Sequence, residues 1–502
     1  MLIIQTLAYA LLMHELLYIC RDGFEYIEKN FLPTFGLKLT KKASRFSHVI
    51  FMILCCYNIF YPGSLLGSLL WLISLGLVIA SYSLRVSNHL ILAWFALAVL
   101  VIDICTTNYN ATEYIISHEA RICIQSLCII CYLFSFFHKL NLDYISVDRS
   151  CAVQLSDFYC LDKGITNKFI VNVIRYIAIY GTLVAELSLF IFLIKPNLIP
   201  IGILIGIIFH LILGLIGIIN FSSVMYSLLL SFVSESDLNR LWSNLLSLDW
   251  SSVLIIVFVS ALVIITIMPM KANRYCPYKY RKSAWLLQII FGIYSAYLII
   301  SCCFYLTYDV LDSIGYYEPN NRYTSALPFI IVSMIFFLNC FSPYLGLKTE
   351  FSLAMFSNLR CEPWNHLVFP ASLRIFKLNS YAKVLQIEGL PKANDIKENC
   401  MDSSIEIILL LLQQHNKYLF SSYFLRESIK RLTKATISPL KINIKFTEQG
   451  KLVTIRGFEG FYDNGLIANL QVNLFPFIMP FDKDTAHTEQ GTILNDRQQQ
   501  LF

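Results

Sequence analysis

A chain of 502 residues that is 57% hydrophobic and only 14% charged, with a mean hydropathy of +0.61, is not an ordinary soluble globule, which carries about 25% charged residues. It reads as an integral, multi-pass membrane protein, of the inner or plasma membrane if bacterial, whose first partner is membrane lipid. The net charge of +6 is small for this length and no basic patch with interleaved aromatics stands out, which argues against nucleic acid as a partner.

At about 17–25 apolar residues per crossing, spans are predicted over 2–20, 47–62, 64–82, 88–106, 120–138, 170–194, 200–232, 251–269, 284–306 and 325–347. The first run has neither a basic start nor a small-residue cleavage site, so it reads as a retained helix. The run 200–232 is too long for one perpendicular helix. It is either strongly tilted or broken near Asn220, which makes the expected total nine to eleven.

Lys and Arg collect around 21–45 and 271–282, whereas 107–119, 233–250 and 307–324 are poor in them. The positive-inside bias then puts the basic loops and the C-terminal part in the cytoplasm, provided that 200–232 crosses twice. Most of the fifteen cysteines, such as Cys55, Cys128, Cys131 and Cys340, lie inside apolar runs and act as small hydrophobes. Their spacing indicates neither a metal nor a disulfide framework.

Beyond Gly346 the hydropathy falls. SIEIILLLLQQ is too short to span and reads as a core helix, and KINIKFTEQGKLVTIRGF alternates as a hairpin does. The expected organisation is an all-α polytopic membrane domain over 1–348, a small α+β extramembrane domain over 349–480, and a polar, flexible tail over 481–502.

Ionisable groups inside apolar runs are the candidate site, because each costs free energy in hydrocarbon and marks function by default. Lys139 ends the apolar run CIICYLFSFFH. Lost hydration there disfavours its charged form, and a neutral amine is a base; the competing reading is a lysine snorkelling to the interface. Glu186 lies deep in the next span, on one helical face with Arg175 and Thr182, and reads equally as a ligand group or as a tie between helices.

His210 continues a face formed by Gly202, Gly206, Gly214 and Gly217, along which another helix can approach closely. Its imidazole is either a proton-transfer group or a helix–helix hydrogen bond. His14, Glu15 and Asp103 are further intramembrane polar groups. Past the last span, Asn358, Arg360, Asn365 and His366 form a polar set placed to cap an intramembrane site, with Arg360 suited to clamp a carboxylate.

Three of these motifs, YLFSFFHKLN around Lys139, FHLILGLIGIINFSSVMYSLLLSF around His210, and FSLAMFSNLRCEPWNHLVFP around Arg360 and His366, occur in an order and spacing that resembles the vitamin K-dependent γ-carboxylase-like family, also called the horizontally transferred transmembrane (HTTM) domain family. The likeness covers the chain to about residue 390. It implies that Lys139 is the base that deprotonates a reduced vitamin K or menaquinol-like quinone. It further implies that O₂ converts that quinol toward its epoxide, and that the strong base so generated permits CO₂ to add to a peptide glutamate. His210, Glu186, Arg360, His366, Asn220 and His138 are then candidate substrate- or quinone-binding residues, and no metal is implied.

Carboxylases of this family place their C-terminal part outside the cytoplasm, opposite to the charge-based assignment, and the appendage here is shorter than their propeptide-binding part. The rival expectation is a non-catalytic membrane protein, either a transporter or a peptide-maturation or assembly factor.

Overall fold

In lipid every backbone N–H and C=O must be satisfied within its own segment, so long apolar runs fold as helices. The computed structural model describes residues 2–22, 41–81, 88–107, 115–216, 218–233, 289–299 and 325–346, with parts of 352–373, 381–448, 451–456 and 486–488 beyond. Its helices are α1 (Leu2–Asp22), α2 (Lys41–Phe60), α3 (Leu65–Ser81), α4 (Asn88–Thr106), α5 (His118–Lys139), α6 (Cys151–Lys163), α7 (Lys168–Tyr176), α8 (Thr182–Ile194), α9 (Ile199–Leu215) and α10 (Ile219–Leu229). They are followed by α11 (Ile289–Ile299), α12 (Leu327–Phe341) and α13 (Ser403–Gln413).

Among the described residues six helices are long and apolar enough to cross a membrane: α1, α2, α4, α5, the continuous Lys168–Ile194 and Pro196–Gly214. Four shorter apolar helices accompany them over Leu65–Ile79, Ile219–Phe232, Ile289–Ile299 and Leu327–Phe341. The predicted span 251–269 and the basic loop 271–282 lie outside the described residues. The second helix starts at Lys41 rather than 47, because the stems of Lys and Arg continue an apolar face while their charges reach water.

Inside the bundle α1 packs on α2, α4 and α10, α5 packs on α4, α8 and α12, and α9 lies between α8 and α10. Trp71, Tyr132, Tyr226, Phe291 and Phe336 are fully buried there. Large apolar side chains such as Phe60, Leu66, Phe169, Ile177, Val184 and Ile330 are exposed. A surface so rich in exposed apolar residues suits hydrocarbon, not water.

The long run 200–232 is broken rather than tilted. Helix α9 stops at Leu215, and α10 starts at Ile219 and folds back so that Tyr226 donates to the carbonyl of Ile207 at 3.2 Å. The break falls two residues before Asn220, as one of the two sequence alternatives requires. Close approach depends on glycine: a Cβ at Gly206 would stand 2.8 Å from Leu229 of the returning helix.

The C-terminal part contains a five-stranded antiparallel sheet in the order β4-β3-β1-β2-β5, formed by β1 (Tyr381–Glu388), β2 (Tyr418–Ser421), β3 (Asn443–Glu448), β4 (Lys451–Arg456) and β5 (Ala486–Thr488). The expected hairpin is β3–β4, with Glu448 opposite Lys451. Helix α13 buries Ile405, Ile408 and Leu412. Pairing of β5 with β2 carries the sheet into the stretch 481–502 that the sequence predicts to be a flexible tail.

Candidate functional site

Helix α5 is set at both ends. Ser117 caps its start by accepting from the backbone of Ala120, and Ser117 is itself held by Asp103, which accepts from its N–H at 3.1 Å. Asp103 thus fixes the entry of α5. At the other end Lys139 is 7% exposed, and its Nζ donates to Glu186 Oε1 at 2.7 Å and to the carbonyl of Ser135 at 3.2 Å.

Glu186, 5% exposed, is carried by a helix interrupted by a π-helical turn, Ile177–Gly181. Such turns are rare and frequent at functional sites. This one winds more slowly than an α-helix, which takes Arg175 off the Glu186 face predicted by α-helical spacing. Arg175 instead grips Asp157 of α6 with two hydrogen bonds, at 2.7 and 2.8 Å. Thr182 stays with Glu186.

The pair stands in the wall of a cavity of about 340 Å³, lined also by Asn88, Tyr144, Thr182, Ile205, Phe209 and Phe221. Its size is at the lower end of the ~300–1,000 Å³ usual for small-molecule sites, and its mix of mostly apolar walls with a few polar groups is typical. Ile177, Ile208 and Ile212 also line it and are exposed on the apolar outer surface, so the cavity meets the lipid-facing side of the bundle.

Lysine has three N–H donors, and Glu186 and Ser135 take two of them. Glu186 Oε2 is buried with no hydrogen-bond partner. The cavity wall therefore holds a donor and an acceptor side by side, a match for a hydroxyl group. The Tyr144 ring lies 5.9 Å from Lys139 Nζ, and burial raises its phenol well above the ordinary value, which keeps it neutral.

The other sequence-predicted candidates do not converge on this cavity. His210 is fully buried and shares a 2.8 Å hydrogen bond between its Nε2 and Tyr132 OH; it does not line the cavity. Gly202, Gly206 and Gly214 of its face serve helix packing, against Leu193, Leu229 and Phe291, and Gly217 lies outside the described residues. His138 faces α12, its Nε2 3.2 Å from the carbonyl of Cys340 and its ring stacked on Tyr344. Asn220 sits in the first turn of α10 beside the break, with Oδ1 buried and unpartnered, again outside the lining. Arg360 lies outside the described residues.

His366 reaches the site indirectly. Its Nδ1 accepts from the backbone N–H groups of Val368 and Phe369, so the remaining proton is on Nε2, which donates to the carbonyl of Phe137 at 2.8 Å. That carbonyl is one of the last four of α5, which have no partner within the helix. Asn141 satisfies another by donating to His138 O at 2.8 Å, and also donates to Ser357 O at 2.6 Å. Asn365 donates to Asp143 Oδ2 at 2.6 Å and to Asn358 O at 2.8 Å. The predicted cap of Asn358, Asn365 and His366 thus closes over the end of α5 and fixes the backbone that carries Lys139. Burial pushes the His366 imidazole below its ordinary value, against the opposing pull of the Phe137 carbonyl.

Asn88, Asn141, Asp143, Tyr144 and Leu353 belong to the site without having been singled out in sequence. Leu353 holds a left-handed backbone, φ 63°, at the cavity wall, a conformation that costs a leucine energy. Its N–H is held by Asn88 Oδ1 at 3.2 Å. The one signal available was position: Asn141, Asp143 and Tyr144 follow directly on Lys139. Comparison with known proteins adds nothing to this geometry, since no family model, curated protein or solved structure matches the chain.

Proposed function

We propose that the protein is a membrane-embedded enzyme that binds a reduced, lipid-soluble quinone of the vitamin K or menaquinol kind in the Lys139–Glu186 cavity and uses it for carboxylation, or a related modification, of a peptide substrate. The observation that carries this reading is the unpartnered Glu186 Oε2 next to the Lys139 ammonium, at the wall of an apolar cavity that meets the lipid side. Such a wall fits a hydroxyl-bearing ring with an apolar tail, and the residues present fit the group that the family resemblance implies.

Lys139 and Glu186 work as a pair rather than as a lone lysine. Glu186 Oε2 accepts the ligand's hydroxyl proton, while Lys139, hydrogen-bonded to Oε1, stabilises the negative charge that remains. Ile205, Phe209 and Phe221 exclude water, which strengthens these interactions and protects a strong base from quenching. The bound quinol supplies, with O₂, the oxidation that generates a base able to remove a carbon-bound proton before CO₂ adds. His366 and Asn141 are positioning residues, since they act through the end of α5.

A photoreactive naphthoquinone tests the binding step. Irradiated with the protein in nanodiscs, it is expected to label the segments around 177–186 and 205–213, and unlabelled menaquinol is expected to compete. Labelling confined to other helices, or not reduced by competition, would remove the reading.

A further inference from the structure

A second buried set of ionisable groups lies where α1, α2 and α4 meet. His48 Nδ1 is 2.7 Å from Glu15 Oε2, Glu15 Oε1 is 4.0 Å from His14 Nε2, and His14 Nδ1 is 2.8 Å from His89 Nε2. All four side chains are at most 3% exposed. No group of His, Cys, Asp and Glu among the described residues has the geometry of a metal site, so these contacts need another account. Among the described residues, Tyr18, whose ring is 4.7 Å from that of His14, and Cys55 of α2 also stand beside them.

We propose that His89, His14, Glu15 and His48 form a proton relay within the helical domain. The proton positions follow from the contacts. With His89 Nε2–H donating to His14 Nδ1, His14 Nε2–H faces Glu15, and Glu15 accepts from His48 Nδ1–H. His89 Nδ1 is then a bare lone pair, and it is buried with no partner. A proton taken up there releases the Nε2 proton to His14, and His14 releases its own to Glu15, which becomes a carboxylic acid. When the His48 ring turns over to present its bare nitrogen, Glu15 gives that nitrogen its proton and the opposite N–H proton of His48 leaves. One proton enters and one departs, and each step breaks one N–H or O–H bond as the next forms. The 4.0 Å step between His14 and Glu15 is too long for direct transfer and requires one water or a turn of the carboxyl.

Both ends have an outlet. Ser44 lies one helical turn before His48 on the same face, its hydroxyl buried and unpartnered. Its neighbours Lys42 and Arg45 are exposed. At the other end His89 adjoins Asn88 and packs edge-on to Phe221 at 6.4 Å, and both of these line the Lys139 cavity. Helices α2 to α5 are consecutive packed neighbours joined by short connections, which makes them antiparallel. The start of α2, the start of α4 and the end of α5 therefore share one end of the bundle, and the relay runs sideways from the cavity to that surface. The proton-carrying role of the four residues stands without the quinol reading, and only the relay's destination rests on it. Chains of Asp, Glu and His are the recurring solution for moving protons within membrane proteins.

Infrared difference spectroscopy of the protein in nanodiscs after a rapid drop in pH tests the relay. A carboxylic acid band is expected in the wild type and should be absent from Glu15→Gln, which keeps the shape and hydrogen bonding. Its rise should be slower by about tenfold or more in His48→Gln and in Ser44→Ala, the size of a modest acid–base contribution. Unfolding midpoints measured alongside identify any variant that has lost its fold, and Ser44→Ala, near a helix end, is the conservative member. A Glu15 that never protonates, or a band that rises at the wild-type rate in folded Ser44→Ala and His48→Gln, would overturn the proposal. A cavity that binds no quinone leaves these outcomes unchanged, so the two failures are distinguishable.

Discussion

Removing one member of the Lys139–Glu186 pair should cost more stability than removing both. The two side chains meet at 2.7 Å and are 7% and 5% exposed, so a lone survivor is left as an unpaired polar group in an apolar wall. Breaking buried pairs in this way costs about 3–5 kcal/mol, whereas replacing both partners by apolar side chains of similar size is often neutral or stabilising. Helices that separate within a bilayer find other polar partners, which trims such differences. We therefore expect roughly 3 kcal/mol for Lys139→Met or for Glu186→Leu, and under about 1 kcal/mol for the double substitution. A double-mutant cycle by denaturant unfolding in mixed micelles then reports a coupling of several kcal/mol, against about 0–1 for an exposed pair. Additive losses, with the double variant as unstable as the two singles combined, would refute the pairing. All three variants should lose quinol oxidation, the stable double variant included, which separates the chemical role of the pair from its contribution to folding.

The His366 tether should make the protein less stable in mild acid. Its neutral form accepts two backbone N–H bonds and burial lowers its folded-state value, so its contribution is complete above the unfolded value of about 6.5 and is lost as the pH falls through the lower folded value. Unfolding from pH 7 to 5 should destabilise the wild type more than His366→Gln, and parallel curves would contradict this. Gly214→Ala should destabilise by about 1–3 kcal/mol through overpacking, because the new methyl group meets the buried ring of Phe291, which is stacked on Tyr226; an unchanged unfolding midpoint would show that α9 and α11 yield there. Tyr132→Phe should cost about 1–2 kcal/mol by leaving the His210 imidazole without its partner, with little change in quinol binding, since His210 does not line the cavity. A large loss of binding with stability intact would place His210 in the site.

Most of the helical bundle is readable in sequence because hydrocarbon admits few alternatives to a helix, and hydropathy alone marks 2–20, 88–106 and 120–138. The fold-back between α9 and α10 is harder, since a broken run and a tilted one have the same composition; the glycines at 206 and 214 mark close packing without saying which helix comes near. Lys139 and Glu186 stand out singly, as charges in apolar runs. Their pairing does not, because no sequence rule fixes how α5 and α8 are rotated relative to each other, and the π turn changes the phase in between. His210 shows the reverse. Its glycine-lined face is conspicuous in sequence, but the glycines serve packing against Leu193, Leu229 and Phe291, and the imidazole bonds Tyr132 rather than lining the cavity. Asn141 and Asp143 look like any polar residues after a helix, and only the arrival of Ser357, Asn358 and Asn365 from more than 200 residues away reveals them as the clamp on the end of α5.

The most direct test of the central proposal is aerobic oxidation of a reduced menaquinone by the purified protein in nanodiscs, wild type against Lys139→Ala, with the epoxide as readout. The account predicts epoxide from the wild type and none from Lys139→Ala that inserts and folds normally. Equal epoxide from both proteins, or none from a folded wild type that binds the quinol, would contradict it.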